Sequence, residues 1–257
     1  MGFYGVNAMV DFHIHILPGV DDGSKNSDMS ITMLHMEYQQ GVGTIVATPH
    51  FYAHHASISH FLEKRQRAYD RLQNAIGQSG EVSLQQMRII PGAEVYYFSG
   101  MGNATDIPKL CVADTKTILV ELPFEQWTDA VYRDMKALIE KQHLHVVLAH
   151  IERYPEFQKS MSIWDRIFGE LPVTAQINTG SFLKKGGLFT RDKKRKFALN
   201  WIAAHPGTIL GSDAHNITSR CPNIGAGREM IEKQAGAEIL RMADDSAAKL
   251  LKLADNC

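Results

Sequence analysis

Val10-Asp11-Phe12-His13-Ile14-His15, followed closely by Val20-Asp21-Asp22-Gly23, decides how the rest of the chain is read. Val10, Phe12 and Ile14 alternate with Asp11, His13 and His15, which is the period of a strand. Side chains two apart on a strand share a face, so His13 and His15 point the same way and could grip one ion. A turn at Leu17-Pro18-Gly19 brings Asp22 back near the same end.

The same arrangement recurs down the chain. Gly43-Thr44-Ile45-Val46-Ala47-Thr48-Pro49-His50 is a β-branched run ending on His50. Arg88-Ile89-Ile90-Pro91-Gly92-Ala93-Glu94-Val95 carries Glu94 at its end, and Thr117-Ile118-Leu119-Val120-Glu121 ends on Glu121. His145-Val146-Val147-Leu148-Ala149-His150 ends on His150, with Glu152 and Arg153 just beyond. Val173-Thr174-Ala175-Gln176-Ile177-Asn178 runs into a polar loop, and Gly207-Thr208-Ile209-Leu210-Gly211-Ser212-Asp213-Ala214-His215 closes the series. Helical patterns fill the intervals at residues 27–40, 57–77, 130–142, 163–169 and 193–204 and from 226 onward, with Ser27 as the N-cap of the first.

Short apolar strands alternating with helices predict an α/β fold with a parallel sheet covered on both faces. The His, Asp and Glu residues sit where strand becomes loop. Both a (β/α) barrel and an open doubly wound sheet build their sites at that edge. Groups arriving from nearly every strand require the strand ends to converge, which a closed barrel does best.

Four carboxylates and five imidazoles take part: His13, His15, Asp22, His50, Glu94, Glu121, His150, Asp213 and His215. Brought together without cations, the carboxylates would repel one another and their burial as charges would be costly. Mixed imidazole and carboxylate shells suit Mn, Fe, Zn or Co, with Mg preferring oxygen alone. Nine groups are too many for one ion, so two or three ions with a bridging carboxylate are expected. His35, His60, His143, His145 and His205 fall outside the pattern; His54 and His55 could line a mouth.

Composition narrows the classes further. A formal net charge of -1 gives no global field for nucleic acid. No apolar stretch approaches the ~18 residues of a membrane span. The cysteines Cys111, Cys221 and Cys257 lack close spacing, which argues for a reducing compartment and against a thiolate zinc site. Residues 1–8 lack the features of a signal peptide, so a cytoplasmic protein of one domain, 1–257, is expected. The basic cluster Lys184-Lys185, Arg191 and Lys193-Lys194-Arg195-Lys196 reads as a solvated helix face or a docking site for an acidic or phosphorylated tail.

Asp-Phe-His-Ile-His at 11–15, Val-Asp-Asp-Gly at 20–23, Ala-Thr-Pro-His at 47–50, Gly-Ala-Glu-Val-Tyr-Tyr at 92–97, Val-Glu-Leu-Pro at 120–123, Ala-His-Ile-Glu-Arg-Tyr at 149–154 and Ser-Asp-Ala-His at 212–215 resemble the polymerase-and-histidinol-phosphatase (PHP) superfamily. Within it the chain is most similar to the bacterial manganese-dependent protein-tyrosine phosphatases of capsule and exopolysaccharide synthesis. The resemblance implies a distorted TIM-like (β/α)7 barrel with three metals. His13, His15, Glu94 and Asp213 would hold one; Glu121 and His150 would join Glu94 at a second; Asp22, His50 and His215 would hold a third. Arg153 and Arg220 would bind phosphate. The implied partner is a phosphotyrosine protein, a bacterial tyrosine kinase, and the residues before the first strand could join contacts in a homo-oligomer. The alternatives are a small-molecule phosphatase of histidinol-phosphatase type and a phosphotyrosine-binding regulator without catalysis.

Overall fold

The computed structural model describes residues 9–183 and 190–252. Its strands are β1 (Met9–Ile14), β2 (Val42–Ala47), β3 (His50–Phe51), β4 (Arg88–Pro91), β5 (Glu94–Tyr96), β6 (Thr117–Glu121), β7 (His145–Leu148), β8 (Thr174–Asn178) and β9 (Ile209–Gly211). Its helices are α1 (Ser27–Gln39), α2 (Ile58–Ser79), the single turn α3 (Val82–Gln85), α4 (Asp129–Glu140), α5 (Ser162–Glu170), α6 (Thr190–Ala204), α7 (Ile224–Ala235) and α8 (Ala237–Leu250).

All strand pairs are parallel. β1-β2-β4 form one sheet and β3-β5-β6-β7-β8-β9 another. The second sheet curls back onto the first. Asp213 N donates to His13 O at 2.7 Å and His15 N donates to Ala214 O at 2.9 Å, joining the end of β9 to β1. The result is a distorted TIM-like barrel of parallel strands.

Two expected strands are each cut in two. Pro49 separates β2 from β3, and Gly92-Ala93 separates β4 from β5. Proline has no N–H to give the ladder. Beyond it, His50 N turns to the Asp21 carboxylate at 2.8 Å. Another difference lies at α1, where the cap is Asn26, not Ser27: the Asn26 side chain accepts from Met29 N at 2.9 Å.

The core has two parts. Val10, Phe12, Val46, Ile90, Leu119, Val147 and Ile209, contributed by six strands, form an inner cluster that Ala247 and Leu251 close from the C-terminal helix side. The larger cluster, between sheet and helices, contains Ile14, Ile45, Ile118, Leu148, Ala175 and Ile177. Val10 and Phe12 thus belong to one cluster and Ile14 to the other, although a regular strand would keep them together. The β1–β2 register shifts between Asp11 and Ile14 and accounts for the change of face.

Of the basic cluster, Lys184, Lys185 and the side chain of Arg191 lie outside the described residues. Lys194 pairs with Glu156 at 2.7 Å, and Arg195 Nε donates to Phe182 O at 3.0 Å. Among the described residues, no helix is long and apolar enough to cross a membrane.

Candidate metal centre

The C-terminal strand ends bring all nine candidate groups to one rim. His13 and His15 leave β1 with their Nε2 atoms 3.1 Å apart. Glu94 Oε2 lies 3.1 Å from His13 Nε2 and 3.3 Å from His15 Nε2. Asp213 Oδ1 is 3.7 Å and 3.5 Å from the same nitrogens. The other Glu94 oxygen, Oε1, faces His150 Nε2 at 2.9 Å, and Glu121 Oε1 is 3.4 Å from that nitrogen. Asp22 Oδ1 stands 3.6 Å from His50 Nε2 and 3.5 Å from His215 Nε2. Glu94 thus faces two groups with two oxygens, the arrangement of a bridging carboxylate.

These spacings suit divalent ions. With metal–ligand bonds of about 2.0–2.2 Å, neighbouring ligand atoms around an ion stand roughly 3.0–3.5 Å apart. His50 Nδ1 is 2.9 Å from Glu94 Oε2, yet His50 Nδ1, Glu94 Oε2 and His215 Nε2 are buried and lack a partner in hydrogen-bonding geometry. Close atoms that fail to bond one another converge on a shared point. The donor set contains imidazoles and carboxylates without thiolate, as Mn, Fe, Zn and Co accept.

Outer contacts fix which nitrogen points inward. His15 Nδ1 donates to Asp21 Oδ2 at 2.7 Å, and His215 Nδ1 is 3.0 Å from Asp213 O. Both rings thereby turn Nε2 toward the centre. Asp21 also accepts from Gly23 N at 3.0 Å. Gly23 is required there, since a Cβ would stand 2.3 Å from His15 O. The two adjacent aspartates thus divide their roles: Asp21 is buried against His15, whereas Asp22 is 67% exposed at the rim.

The charges show what an ion would replace. Burial works against a charged His15, but the charge and hydrogen bond of Asp21 hold it well above the ordinary imidazole value. Burial likewise opposes charge on His150, while hydrogen bonds to Glu121 and Glu94 lift it to about 9. Burial would raise Glu94, yet the His13 charge and the close imidazoles of His13, His15 and His150 hold it well below the carboxylate range. Asp213 is held down in the same way by His15, His13 and His150. His215 moves the other way, to about 3, through burial and the charge of His15.

Above the rim is a cavity of about 430 Å³. Arg153 and Arg220 enter it and reach the same residue: Arg153 Nη1 lies 3.4 Å from Asp213 Oδ2, and Arg220 Nη2 lies 2.9 Å from Asp213 Oδ1. Arg153 turns to Asp213 and not to its sequence neighbours Glu152 and Glu156. Glu152 is buried, accepting from Ser181 Oγ at 2.7 Å, and Glu156 pairs with Lys194. Tyr52, Tyr96 and Phe124, absent from the expected set, supply aromatic walls. The Tyr52 and Tyr96 rings are 5.5 Å apart, and Phe124 stacks on His150 at 6.0 Å beneath the Arg153 guanidinium. His54 lines this mouth as expected.

Comparison with known proteins agrees with this geometry. The family described as "Capsular polysaccharide synthesis, CpsB/CapC" matches residues 9–252. The chain belongs to the CpsB/CapC family. The tyrosine-protein phosphatase YwqE of Bacillus subtilis (strain 168) is 30% identical over 253 residues, 95% of this chain and 92% of that protein. The tyrosine-protein phosphatase CpsB of Streptococcus agalactiae serotype III (strain NEM316) is 27% identical over 234 residues, 90% of this chain and 92% of that protein. The CpsB/CapC fold extends to solved structures. A chain from the crystal structures of YwqE from Bacillus subtilis and CpsB from Streptococcus pneumoniae, described as unique metal-dependent tyrosine phosphatases, matches with a TM-score of 0.77 at 27% identity. The match covers 95% of this chain and 94% of that one. The phosphotriesterase homology protein of Escherichia coli shares the fold alone, at 11% identity and a TM-score of 0.51, over 96% of this chain and 99% of that one.

Proposed function

We propose that this chain is a metal-dependent protein-tyrosine phosphatase acting in capsular or exopolysaccharide synthesis. The observation that carries the reading is the convergence of His13, His15, Asp22, His50, Glu94, Glu121, His150, Asp213 and His215 at one rim under a cavity that two arginines enter. We assign those nine residues as ligands of two or three ions, Mn²⁺ by preference, with Glu94 bridging. Bound divalent ions supply Lewis acidity, which makes water nucleophilic at neutral pH and offsets phosphoryl charge.

The side chains do the rest. Arg153 and Arg220 bind phosphate oxygens through paired N–H donors and orient the ester bond. Their shared contact with Asp213 holds both guanidiniums over the cluster. Tyr52, Tyr96 and Phe124 give the substrate ring an aromatic surface, which suits an aryl ester better than an alkyl one. A phenolate, with a pKa of about 10, leaves readily, so the demand for a general acid is small.

The proposed substrate is phosphotyrosine on a protein, a bacterial tyrosine kinase, handled by one cytoplasmic domain. Cys111 and Cys221 are free thiols, in keeping with a reducing compartment. Initial rates on a phosphotyrosine peptide, a phosphoserine peptide and histidinol phosphate, each with Mn²⁺, test the reading. Phosphotyrosine is expected to be preferred. Preference for histidinol phosphate would overturn the substrate class, and binding of phosphotyrosine without hydrolysis would overturn the enzyme.

A further inference from the structure

β8 supplies none of the nine groups, yet it reaches three of them. Gln176 is fully buried, and its neighbours Ala175 and Ile177 pack in the outer cluster, so its amide projects into the barrel. Gln176 Oε1 lies 2.8 Å from His150 N and 3.1 Å from His13 Nδ1. Gln176 Nε2 donates to Asn178 Oδ1 at 2.9 Å, and Asn178 Nδ2 donates to Asp213 Oδ2 at 2.8 Å.

The direction of these bonds is fixed at both ends. The His150 N–H can only donate, so the oxygen of Gln176 faces it. The Asp213 carboxylate accepts, so the NH₂ of Asn178 faces it. Between them the Gln176 NH₂ meets the Asn178 carbonyl without conflict. An oxygen carrying no hydrogen then faces His13 Nδ1, so that nitrogen must hold the proton. In the neutral ring that metal binding requires, His13 Nε2 is left with its lone pair toward Glu94, His15 and Asp213.

The backbone shows why such a brace is needed. His150 has φ 33° and Asp213 φ 52°, conformations that persist only where the surroundings hold them. Both are tied to the same pair of amides.

We propose that Gln176 and Asn178 are positioning residues, a polar relay that fixes the Nδ1–H tautomer of His13 and braces His150 and Asp213 for metal binding. This rests on the metal-site reading above, and its test needs no substrate. ¹⁵N NMR of the histidine rings and Mn²⁺ titration calorimetry are applied to the unaltered chain, Gln176→Met and Gln176→Glu. His13 Nδ1 is expected to carry the proton in the unaltered chain. Gln176→Met, close in shape but without the amide, is expected to lose that preference and to bind Mn²⁺ about 10–100-fold more weakly. Gln176→Glu keeps an oxygen facing His13 Nδ1 and His150 N, and is expected to restore the tautomer. A proton-free His13 Nδ1 in the unaltered chain would overturn the proposal, even if Gln176→Met fails to fold. So would a folded Gln176→Met with unaltered tautomer and affinity. A chain that binds Mn²⁺ through this relay yet hydrolyses no phosphotyrosine would instead overturn the phosphatase reading and leave the relay standing.

Discussion

At the scale of single residues, His150 is the side chain whose removal separates chemistry from fold. It leaves β7 in a left-handed conformation, is fully buried, and points Nε2 at Glu94 and Glu121. His150→Ala is expected to lower phosphatase activity by more than the roughly 100-fold typical of outer contacts, with the circular dichroism spectrum retained. Full activity would remove it from the ligand set. A different pair sits behind the site. Asp11 and Glu37 are both fully buried, and Asp11 Oδ2 and both Glu37 carboxylate oxygens are without a hydrogen-bond partner. Burial raises both, Glu37 well above its ordinary value with the Asp11 charge adding to it. A raised carboxyl binds a proton in the fold that the unfolded chain releases. Stability is therefore full below the ordinary carboxylate range and falls as pH rises toward the folded value, by up to about 1.4 kcal/mol per pH unit per proton. Glu37→Gln needs no such proton, so its stability relative to the unaltered chain is expected to rise with pH in denaturant melts. Parallel pH profiles would contradict a Glu37 that is protonated in the fold. The ligand candidates were legible because histidine and carboxylate stand out at the end of an apolar run. Asp21 and Gln176 were not. An Asp-Asp pair does not say which member turns inward, and a glutamine in a strand carries no charge to betray a role.

Among the elements, β1 and β9 form the seam on which the site depends. Gly211 has no side chain where β9 crosses β1; a Cβ there would stand 2.6 Å from His13 Cβ and 3.0 Å from Gln176 Nε2. Gly211→Ala is therefore expected to cost about 1–3 kcal/mol, as overpacking does, and to weaken metal binding in the same protein. Unaltered denaturation midpoint and Mn²⁺ affinity would show that the seam can open. Helix positions were readable from their apolar spacing, and the parallel sheet from the alternation of strand and helix. The cuts at Pro49 and at Gly92-Ala93 were not, because both runs keep their apolar character through the break. Proline at 49 is the physical signal. It marks the point where His50 N leaves the ladder for Asp21, and so where an imidazole reaches the rim.

For the molecule as a whole, metal and proton compete for one cluster. His15 is held well above its ordinary value and His150 at about 9, so at neutral pH the metal-free cluster holds protons that ions must displace. The sign follows: Mn²⁺ uptake is expected to release protons, and apparent affinity to strengthen as pH rises toward about 9. Calorimetry in two buffers of different ionisation enthalpy measures that release; none at pH 7 would contradict the assigned charges. The most direct measurement is the anomalous scattering of crystals grown with Mn²⁺. Two or three manganese peaks are expected among His13, His15, Asp22, His50, Glu94, Glu121, His150, Asp213 and His215, with a Glu94 oxygen at each of two. Metal-replete crystals in which those side chains surround only water would contradict the metal centre and the phosphatase built on it.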